Sequence, residues 1–522
     1  MSRIRLLRRI FLLPITLMLL LNIFSGCSKN DVDSEETEDG PIELWVVTEK
    51  TPWDGMNAQA RTLIKEFEET HDNVTVKLDI LPVDPEKREI YLDKLRVQIL
   101  AGKGPDVYLL PTGTWMRSIN PRNPSEIYTL SEKIFADESM TMHNGHFLDI
   151  SEYYDADDAL DKEELITGVM DAGVLDGARY ILPLRYDYPM IYAATDRLES
   201  LNTDLEVLKS GVITDIMDLA IETNNRLLAD GGITAYYQTN WSSNFLVHLP
   251  QLVDYDRGKI NLSVEEVAEF LGKFQKDFSI SANKFASHGL TDSSELNADG
   301  GYMMNGIHVG NEENVLTSGS LHNVVEMIAV SKAAGVDLTM IPVRNADGEL
   351  VASVTYYGAV GSSSEYPEIA YEYLRLFLLE KSQWEANRKW PSSAQVANFT
   401  FRPATWGYIE LGFPVRSLCE PEVLWQAYHS ILTEPGCKVV FYRMQFEAFG
   451  GARSRYNGVK QAELSEEDLA VLNVPIDRAV FDQTFGMELS ATLYDFALTQ
   501  TVTPEEWAEK IVKTIEMYLA EG

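Results

Sequence analysis

Aromatic side chains that stand beside a carboxylate or an amide recur in predicted loops. Trp53 precedes Asp54, Tyr186 precedes Asp187, and Trp241 follows Asn240. A flat ring covers the apolar C–H face of a sugar, and a carboxylate accepts hydrogen bonds from the hydroxyl groups on its rim. Packing of each ring inside its own domain is the alternative interpretation. The predicted ligand-binding residues are Trp53, Asp54, Trp115, Tyr186, Asp187, Trp241, Tyr356 and Tyr357.

Short motifs of common catalytic and cofactor sites are missing from the sequence. It contains no HExxH, CxxC, GxSxG, Walker-type glycine-lysine loop or GxGxxG. His143 and His146 have no evident third metal ligand, and the acidic turn at residues 155–158 lacks the glycine and the closing glutamate of a calcium loop. We therefore predict that the protein is not an enzyme and has no metal or cofactor. Because the paired carboxylates of a glycosidase cannot be recognised from their spacing, a carbohydrate-active enzyme stays open as an alternative.

The elements that must position Trp53, Asp54 and Trp115 alternate between strand and helix. Near-continuous apolar runs at 42–48 and 106–111 predict strands buried on both faces, and alternating apolar residues predict a strand at 74–80. Helices are predicted between them, the first around residues 60–67 and the second at about 86–101. A β-α-β-α-β order favours a mostly parallel sheet whose ligand site lies beyond the carboxyl ends of its strands. The loops there hold the first two tryptophans of the predicted site.

The stretch 176–196 is predicted to carry the chain from one lobe to another. Apolar runs at 180–182 and 190–194 predict two strands, and Pro183 with the polar run 185–189 predicts a break between them. This break places two tyrosines, an arginine and an aspartate where the lobes would meet.

Later segments are predicted to form further helices. Amphipathic helices are expected at 214–228 and 264–274. A capping box with proline at the first helical position, residues 503–506, predicts a C-terminal helix.

Length and charge limit the classes of protein that this chain can be. With 522 residues it is too long for one undivided domain. Acidic residues outnumber basic ones by 80 to 44, which gives a formal net charge of −36. Such a surface repels phosphate groups, so binding of nucleic acid or of an anionic membrane through the folded body is disfavoured.

The N-terminus has the pattern of an export signal. Four arginines precede a mostly apolar segment at 10–23, which is too short to span a bilayer comfortably. Cys27 follows this segment, and the polar, acidic residues 28–40 predict an extended tether. In an exported chain the remaining cysteines, Cys419 and Cys437, are able to form a disulfide, with free thiols as the alternative.

Several segments together resemble a known family. They are Ala-Gly-Lys-Gly-Pro-Asp-Val at 101–107, the stretch from Asp176 to Tyr192, the strand, serine turn and helix at 358–380, and Gly-Phe-Pro-Val-Arg at 412–416. Their order and spacing are similar to those of extracellular solute-binding proteins of ABC importers, in the family of maltose- and oligosaccharide-binding proteins. The resemblance implies an α/β, periplasmic-binding-protein-like fold with two lobes, each with a mostly parallel sheet flanked by helices, joined by several hinge crossings. Residues 441–489 have no clear counterpart in the family.

The resemblance also implies a domain organisation and a function. Lobe 1 would comprise residues 41–186 and 343–383, and lobe 2 residues 187–342 and 384–522. The Ser-Gly-Cys ending resembles a bacterial lipobox, which implies that a signal peptide, residues 1–26, is removed and that Cys27 is lipidated.

The expected protein is a lipid-anchored monomer on the outer face of the cell membrane. It would capture an oligosaccharide and deliver it to the transmembrane subunits of an ABC permease. The alternatives are an exported carbohydrate-active lipoprotein enzyme, or the same fold binding a peptide or serving a sensor kinase.

Overall fold

The structure is a computed structural model, and the ranges that it describes are 40–49, 55–82, 84–112, 116–117, 129–130, 133–135, 137–229, 235–238, 245–249, 251–255, 257–287, 314–321, 336–379, 382, 413–415, 470–481 and 501–521. The chain divides into a short unit, Met1–Ile42, and a large compact unit, Glu43–Gly522. The first strand begins at Ile42, the last residue of the short unit, and all later strands and helices belong to the large unit.

The described residues form short and long strands and helices in alternation. The strands are β1 (Ile42–Glu49), β2 (Val74–Leu81), β3 (Val107–Pro111), β4 (Met116–Arg117), β5 (Thr129–Leu130), β6 (Val174–Leu175), β7 (Ala178–Arg179), β8 (Ile181–Ala194), β9 (Ala235–Gln238), β10 (Val253–Asp254), β11 (Lys259–Ile260), β12 (Asn314–Leu321), β13 (Leu338–Pro342), β14 (Val351–Val360), β15 (Phe413–Pro414) and β16 (Arg478–Phe481). The α-helices are α1 (Gly55–Glu68), α2 (Pro85–Leu100), α3 (Glu138–His143), α4 (Ser151–Ala156), α5 (Thr167–Met170), α6 (Thr195–Ser200), α7 (Leu205–Ser210), α8 (Ile213–Ala229), α9 (Val264–Ser287), α10 (Pro367–Arg375) and α11 (Pro504–Glu521). Three-residue and four-residue 3₁₀ turns lie at Lys162–Glu164, Asp171–Gly173 and Phe245–His248.

Ten of these strands form one sheet, in the order β2-β1-β3-β14-β8-β12-β9, with β13 and β15 paired to β8 and β16 paired to β14. Strands β1 and β3 run parallel, as the β-α-β-α-β pattern predicts. The sheet as a whole is mixed, because β14 pairs antiparallel with both β3 and β8. Strand β8 also pairs antiparallel with β12 and β13, so the antiparallel ladders centre on β8 and β14.

The crossing stretch forms one unbroken strand, β8, whose 14 residues are all buried. The predicted break at 185–189 is therefore wrong. Pro183 lies opposite Tyr357, next to one of the two register shifts in the pairing of β14 with β8, whereas Pro189 lies opposite Ser320 of β12. Pro189 still uses its carbonyl, which accepts a hydrogen bond from the Val343 backbone nitrogen at 2.9 Å. The polar run belongs to the strand because neighbouring strands and loops cover it.

The two ends of β8 have different partners. Residues from Ile181 to Asp187 pair with β14, whereas residues from Tyr188 to Ala193 pair with β12, and Met190 to Ala194 also pair with β13. The change of partner falls between Asp187 and Tyr188. One strand thus joins the two groups, and within the described residues no other ladder pairs a strand of one group with a strand of the other.

Each group of strands packs against its own helices. On the first group, Phe67 of α1 meets Tyr373 of α10 edge-to-face at 5.6 Å between ring centroids, and a Cβ on Gly358 of β14 would lie 2.6 Å from the Leu374 side chain, so α10 lies directly on this strand. The second group has a core of its own. This core contains Ile191 and Ala193 of β8, Val315 and Leu316 of β12, Ile341 of β13, and apolar residues of α8, α9 and α11.

A buried asparagine fixes the loop between β13 and β14, where the chain passes back towards the first group. The Nδ2 atom of Asn345 donates to the Leu249 carbonyl at 3.3 Å and to a Glu349 carboxylate oxygen at 2.9 Å. Its Oδ1 atom accepts from the backbone nitrogen of Glu349 at 2.9 Å. Glu349 also accepts from the Arg478 Nε at 2.9 Å, which holds strand β16 beside the loop. The position of this loop is therefore set by side-chain hydrogen bonds rather than by a strand ladder.

Candidate functional site

The carboxyl ends of β1 and β3 meet at one edge of the sheet, and a buried ion pair lies at that edge. Glu49, the last residue of β1, accepts a hydrogen bond from the Arg88 Nη2 of α2 at 2.7 Å, with both side chains nearly inaccessible to water. Burial raises the pKa of the Glu49 carboxyl, and the Arg88 guanidinium opposes this rise. Asn57 of α1 donates to the Glu49 carbonyl at 3.1 Å. The start of the loop that leads from β1 to Trp53 is therefore held on two sides.

A second buried ion pair lies beside the first. The Lys133 Nζ is 3.6 Å from a carboxylate oxygen of Glu138, the first residue of α3, and both side chains are buried. Burial raises the pKa of the Glu138 carboxyl, Lys133 lowers it, and Glu49 adds a smaller rise. The pKa of Tyr357 also lies well above its ordinary value, first because of burial and then because of the nearby Glu138 and Glu49 carboxylates. The two ion pairs and the tyrosine therefore form one electrostatic group.

Asp137 connects this group to the second set of elements. One carboxylate oxygen caps α3 by accepting from the Met140 backbone nitrogen at 3.0 Å. The other accepts from the Tyr255 hydroxyl at 3.1 Å. Burial raises the pKa of the Asp137 carboxyl to about 7, with Glu138 adding to the rise and these hydrogen bonds opposing it. We call Glu49, Arg88, Lys133, Asp137 and Glu138 the edge cluster.

The edge cluster orders the ends of the strands. Among the described residues, no group of three or more His, Cys, Asp or Glu side chains is placed to hold a metal ion. Its charges occur as Arg–Glu and Lys–Glu pairs, which fix loops in space when they are buried together. Such an arrangement can preorganise the loops that follow β1 and precede α3.

Four of the predicted ligand-binding residues lie on two adjacent strands. Tyr186 and Asp187 of β8 are opposite Val354 and Ser353 of β14, and Tyr356 and Tyr357 follow on the same strand. The structure therefore brings these four together. All are buried, with exposed fractions from 0% for Tyr356 to 5% for Asp187, and the Tyr186 ring stacks on the Tyr188 ring at 6.3 Å between centroids. Their role in ligand binding stays a prediction.

The other predicted positions lie outside the described residues. These are Trp53, Asp54, Trp115 and Trp241, together with Cys27, Cys419 and Cys437. Strand β1 ends at Glu49 and helix α1 begins at Gly55, so the loop with Trp53 and Asp54 does follow the carboxyl end of a strand in the parallel part of the sheet.

Sequence reasoning missed the edge cluster and its link to Tyr255. Asp137 and Tyr255 are separated by 118 positions, and Arg88 and Glu49 by 39. The single local signal is Asp137 as an N-cap residue before a helix. It predicts a helix start and contains no information about a distant tyrosine.

Comparisons with known proteins agree with this architecture. The family model described as bacterial extracellular solute-binding protein matches residues 53–384. A periplasmic oligogalacturonide binding protein from Yersinia enterocolitica has a similar structure, with a TM-score of 0.50 and 14% sequence identity over 92% of this chain and 99% of that chain. An ABC substrate-binding protein from Listeria monocytogenes, solved in complex with cycloalternan, is similar with a TM-score of 0.46 and 13% identity over 92% of this chain and 99% of that one. No curated protein matches the sequence.

The predicted fold class is confirmed. The chain has a periplasmic-binding-protein-like fold, a mixed α/β structure with helices against the sheet. Of the helices within the described ranges, none combines the length and the apolar character that a bilayer crossing requires.

Proposed function

Because the chain belongs to the bacterial extracellular solute-binding proteins, we propose that it captures an oligosaccharide between two closing lobes and delivers it to the transmembrane subunits of an ABC importer. The match of the family model to residues 53–384, more than half of the chain, is the observation that carries this proposal. Members of such a family act outside the cytoplasm. No bond is broken in this function, and the protein is proposed to act as a monomer without a cofactor.

Strand β8 supports a hinge of this kind. Its change of partner between Asp187 and Tyr188 lies one residue from the proposed boundary between lobe 1, residues 41–186 and 343–383, and lobe 2, residues 187–342 and 384–522. A ligand that contacts both lobes binds the closed conformation better than the open one, and this difference in affinity shifts the equilibrium towards closure. The proposed ligand contacts are Trp53, Asp54, Trp115, Tyr186, Asp187, Trp241, Tyr356 and Tyr357.

A carbohydrate ligand is supported by the residue types of this proposed site. Rings beside carboxylates suit the two kinds of surface on a sugar. The solved protein of similar fold from Yersinia enterocolitica is named for an oligogalacturonide. The sugar of the present chain is therefore proposed at the level of its class.

Titration calorimetry of the full chain in detergent tests the binding function. Addition of malto-oligosaccharides and oligogalacturonides in separate titrations is expected to give saturable heat with at least one of them. Trp53→Ala is expected to weaken that binding by about tenfold or more, since a stacking ring is lost. Trp45→Phe is the matched control, because the Trp45 Nε1 donates to Asp79 on the neighbouring strand at 2.9 Å and the ring lies under Lys77.

Two outcomes would contradict the proposal. One is the absence of binding to every sugar of the panel, and the other is the release of shorter sugars during incubation, which would favour the carbohydrate-active enzyme.

Membrane attachment is proposed to depend on Cys27 alone. After removal of residues 1–26, a lipid on Cys27 would hold the acidic tether 27–40 at the membrane. Cys27→Ser is expected to move the protein from the membrane fraction to the soluble fraction or to leave the signal segment uncut. Fractionation followed by mass spectrometry of the N-terminal peptide measures both. An unmodified cysteine in the membrane-bound wild type would contradict lipid anchoring.

A further inference from the structure

One hydrogen bond in the described part of the molecule joins side chains of the two groups of elements near the edge cluster. The Tyr255 hydroxyl donates to an Asp137 carboxylate oxygen at 3.1 Å. Tyr255 directly follows β10 and packs on the core formed by β8, β12, α8 and α9. Asp137 precedes α3 and lies close to Phe135, whose ring meets Tyr108 of β3 at 5.1 Å. The bond therefore connects the core of the second group with the strand ends of the first.

We propose that Asp137 and Tyr255 form a latch that stabilises the closed arrangement of the two lobes, and that closure becomes less favourable once the buried carboxyl group has lost its proton. The proposal rests on the closure that we propose for ligand capture. Opening of the lobes would separate the two side chains, because each is fixed to a different core. The carboxyl group would then pass from a buried position into water.

The surroundings of Asp137 decide the direction of the pH effect. Among the described residues, the titratable groups that act on its carboxyl are Glu138 and Tyr255. Around Glu138 lie Lys133, at 3.6 Å, and the Glu49 carboxylate. The closed form places the Asp137 carboxyl in a buried site beside the Glu138 carboxylate.

The sign of the linkage follows from this environment. In the closed form the pKa of Asp137 is about 7, above the ordinary value of 3.8, which the group recovers when it is exposed to water. A raised carboxyl pKa stabilises the closed form fully below the ordinary value, and this stabilisation is lost as the pH rises through the closed-form value. Acidic solution therefore favours closure, and alkaline solution favours opening.

Three variants separate the latch from general effects on folding. Tyr255→Phe removes the hydroxyl and keeps the ring that packs on the core. Asp137→Asn keeps the helix cap and an acceptor for Tyr255 but cannot ionise. Tyr91→Phe is the matched control, because the Tyr91 hydroxyl also contacts an aspartate, Asp79, at 3.5 Å, and both of these residues lie in the first group of elements.

The binding measurement uses the sugar that gives the strongest heat in the calorimetric panel. Between about pH 5.5 and about pH 8 the wild-type Kd is expected to rise roughly tenfold. Tyr255→Phe is expected to raise Kd roughly five- to tenfold at both pH values, because the hydrogen bond to the Asp137 carboxyl group is lost on closure. Asp137→Asn is expected to change by less than about twofold between the two pH values. Tyr91→Phe is expected to match the wild type.

A measurement without ligand keeps the latch testable if no sugar binds. Hydrogen exchange of the full chain, corrected for the intrinsic pH dependence of amide exchange, is expected to show stronger protection of peptides covering 137–143 and 251–260 at the lower pH. Tyr255→Phe should lose this protection and Tyr91→Phe should keep it. Equal protection in these two variants, or a wild-type pH dependence in Asp137→Asn, would overturn the latch. Absence of sugar binding with an intact exchange pattern would overturn the proposed function instead.

Discussion

Replacing Arg88 with methionine is expected to lower the free energy of unfolding by about 3 to 5 kcal/mol. The substitution removes the cation that lies 2.7 Å from Glu49 and leaves the carboxylate in a site where little of its side chain contacts water. Lys133 stays close enough to stabilise the Glu49 charge in part, which favours the lower end of this range. Urea unfolding at neutral pH measures the loss.

The same substitution is expected to make stability depend on pH. Without Arg88, burial alone would raise the pKa of Glu49 further above its ordinary value of 4.5. The loss of stability should therefore be smallest at a pH near this ordinary pKa, where the carboxyl takes up a proton, and should increase as the pH rises.

Lys65→Met is the control for Arg88→Met, because Lys65 and Glu69 are both largely exposed and 4.0 Å apart. Its cost in unfolding free energy should stay below about 0.5 kcal/mol. Similar losses for the two variants would show that the Glu49–Arg88 pair is not buried as described.

Ile511→Asp is expected to cost roughly 4 kcal/mol or more, because it places a carboxylate in an apolar core. Ile511 lies on α11 and is only 5% exposed. Its neighbours in this core include Val267, Leu271 and Phe274, all on α9. No cation among the members of this core is available to pair with the new charge. A shift in the urea midpoint measures the effect.

Met517→Asp on the same helix is the control for this substitution. Met517 is 55% exposed, so a carboxylate there stays in water and acts only on helix propensity and on the helix dipole, for a cost below about 1 kcal/mol. A loss at position 517 as large as that at position 511 would mean that α11 does not pack on α9 through the face that contains Ile511.

The regular parts of the fold could be predicted from the sequence because local patterns determine them. The predicted strand at 74–80 is Val74–Leu81 in the structure, and the predicted helix at 86–101 is Pro85–Leu100. The C-terminal capping box forms as predicted, with the Thr503 backbone nitrogen donating to Glu506 at 3.0 Å and the Glu506 nitrogen donating to the Thr503 hydroxyl at 3.2 Å. Helix period, strand alternation and caps act within a few residues, and a sequence displays them directly.

The continuity of β8 and the edge cluster could not be predicted, because distant partners decide them. Pro183 and Pro189 argue against a strand when only neighbours in sequence are considered, but in the structure Pro183 pairs with β14 beside a register shift and Pro189 pairs with β12. The contact of Asp137 with Tyr255 depends on how two cores are placed around β8, and no spacing in the sequence encodes it. Burial also raises the pKa of the Glu49, Asp137 and Glu138 carboxyl groups. This shift could not be predicted from the fact that the residues are acidic.

The prolines of β8 also restrict the geometry of any rotation between its two ends. Pro183 lies before the change of partner and Pro189 after it, and each ring locks one backbone torsion near −65°. Between residues 183 and 189, changes in φ are therefore confined to the five residues that separate the two rings. A rotation about this segment would therefore be restricted to a narrow range of directions.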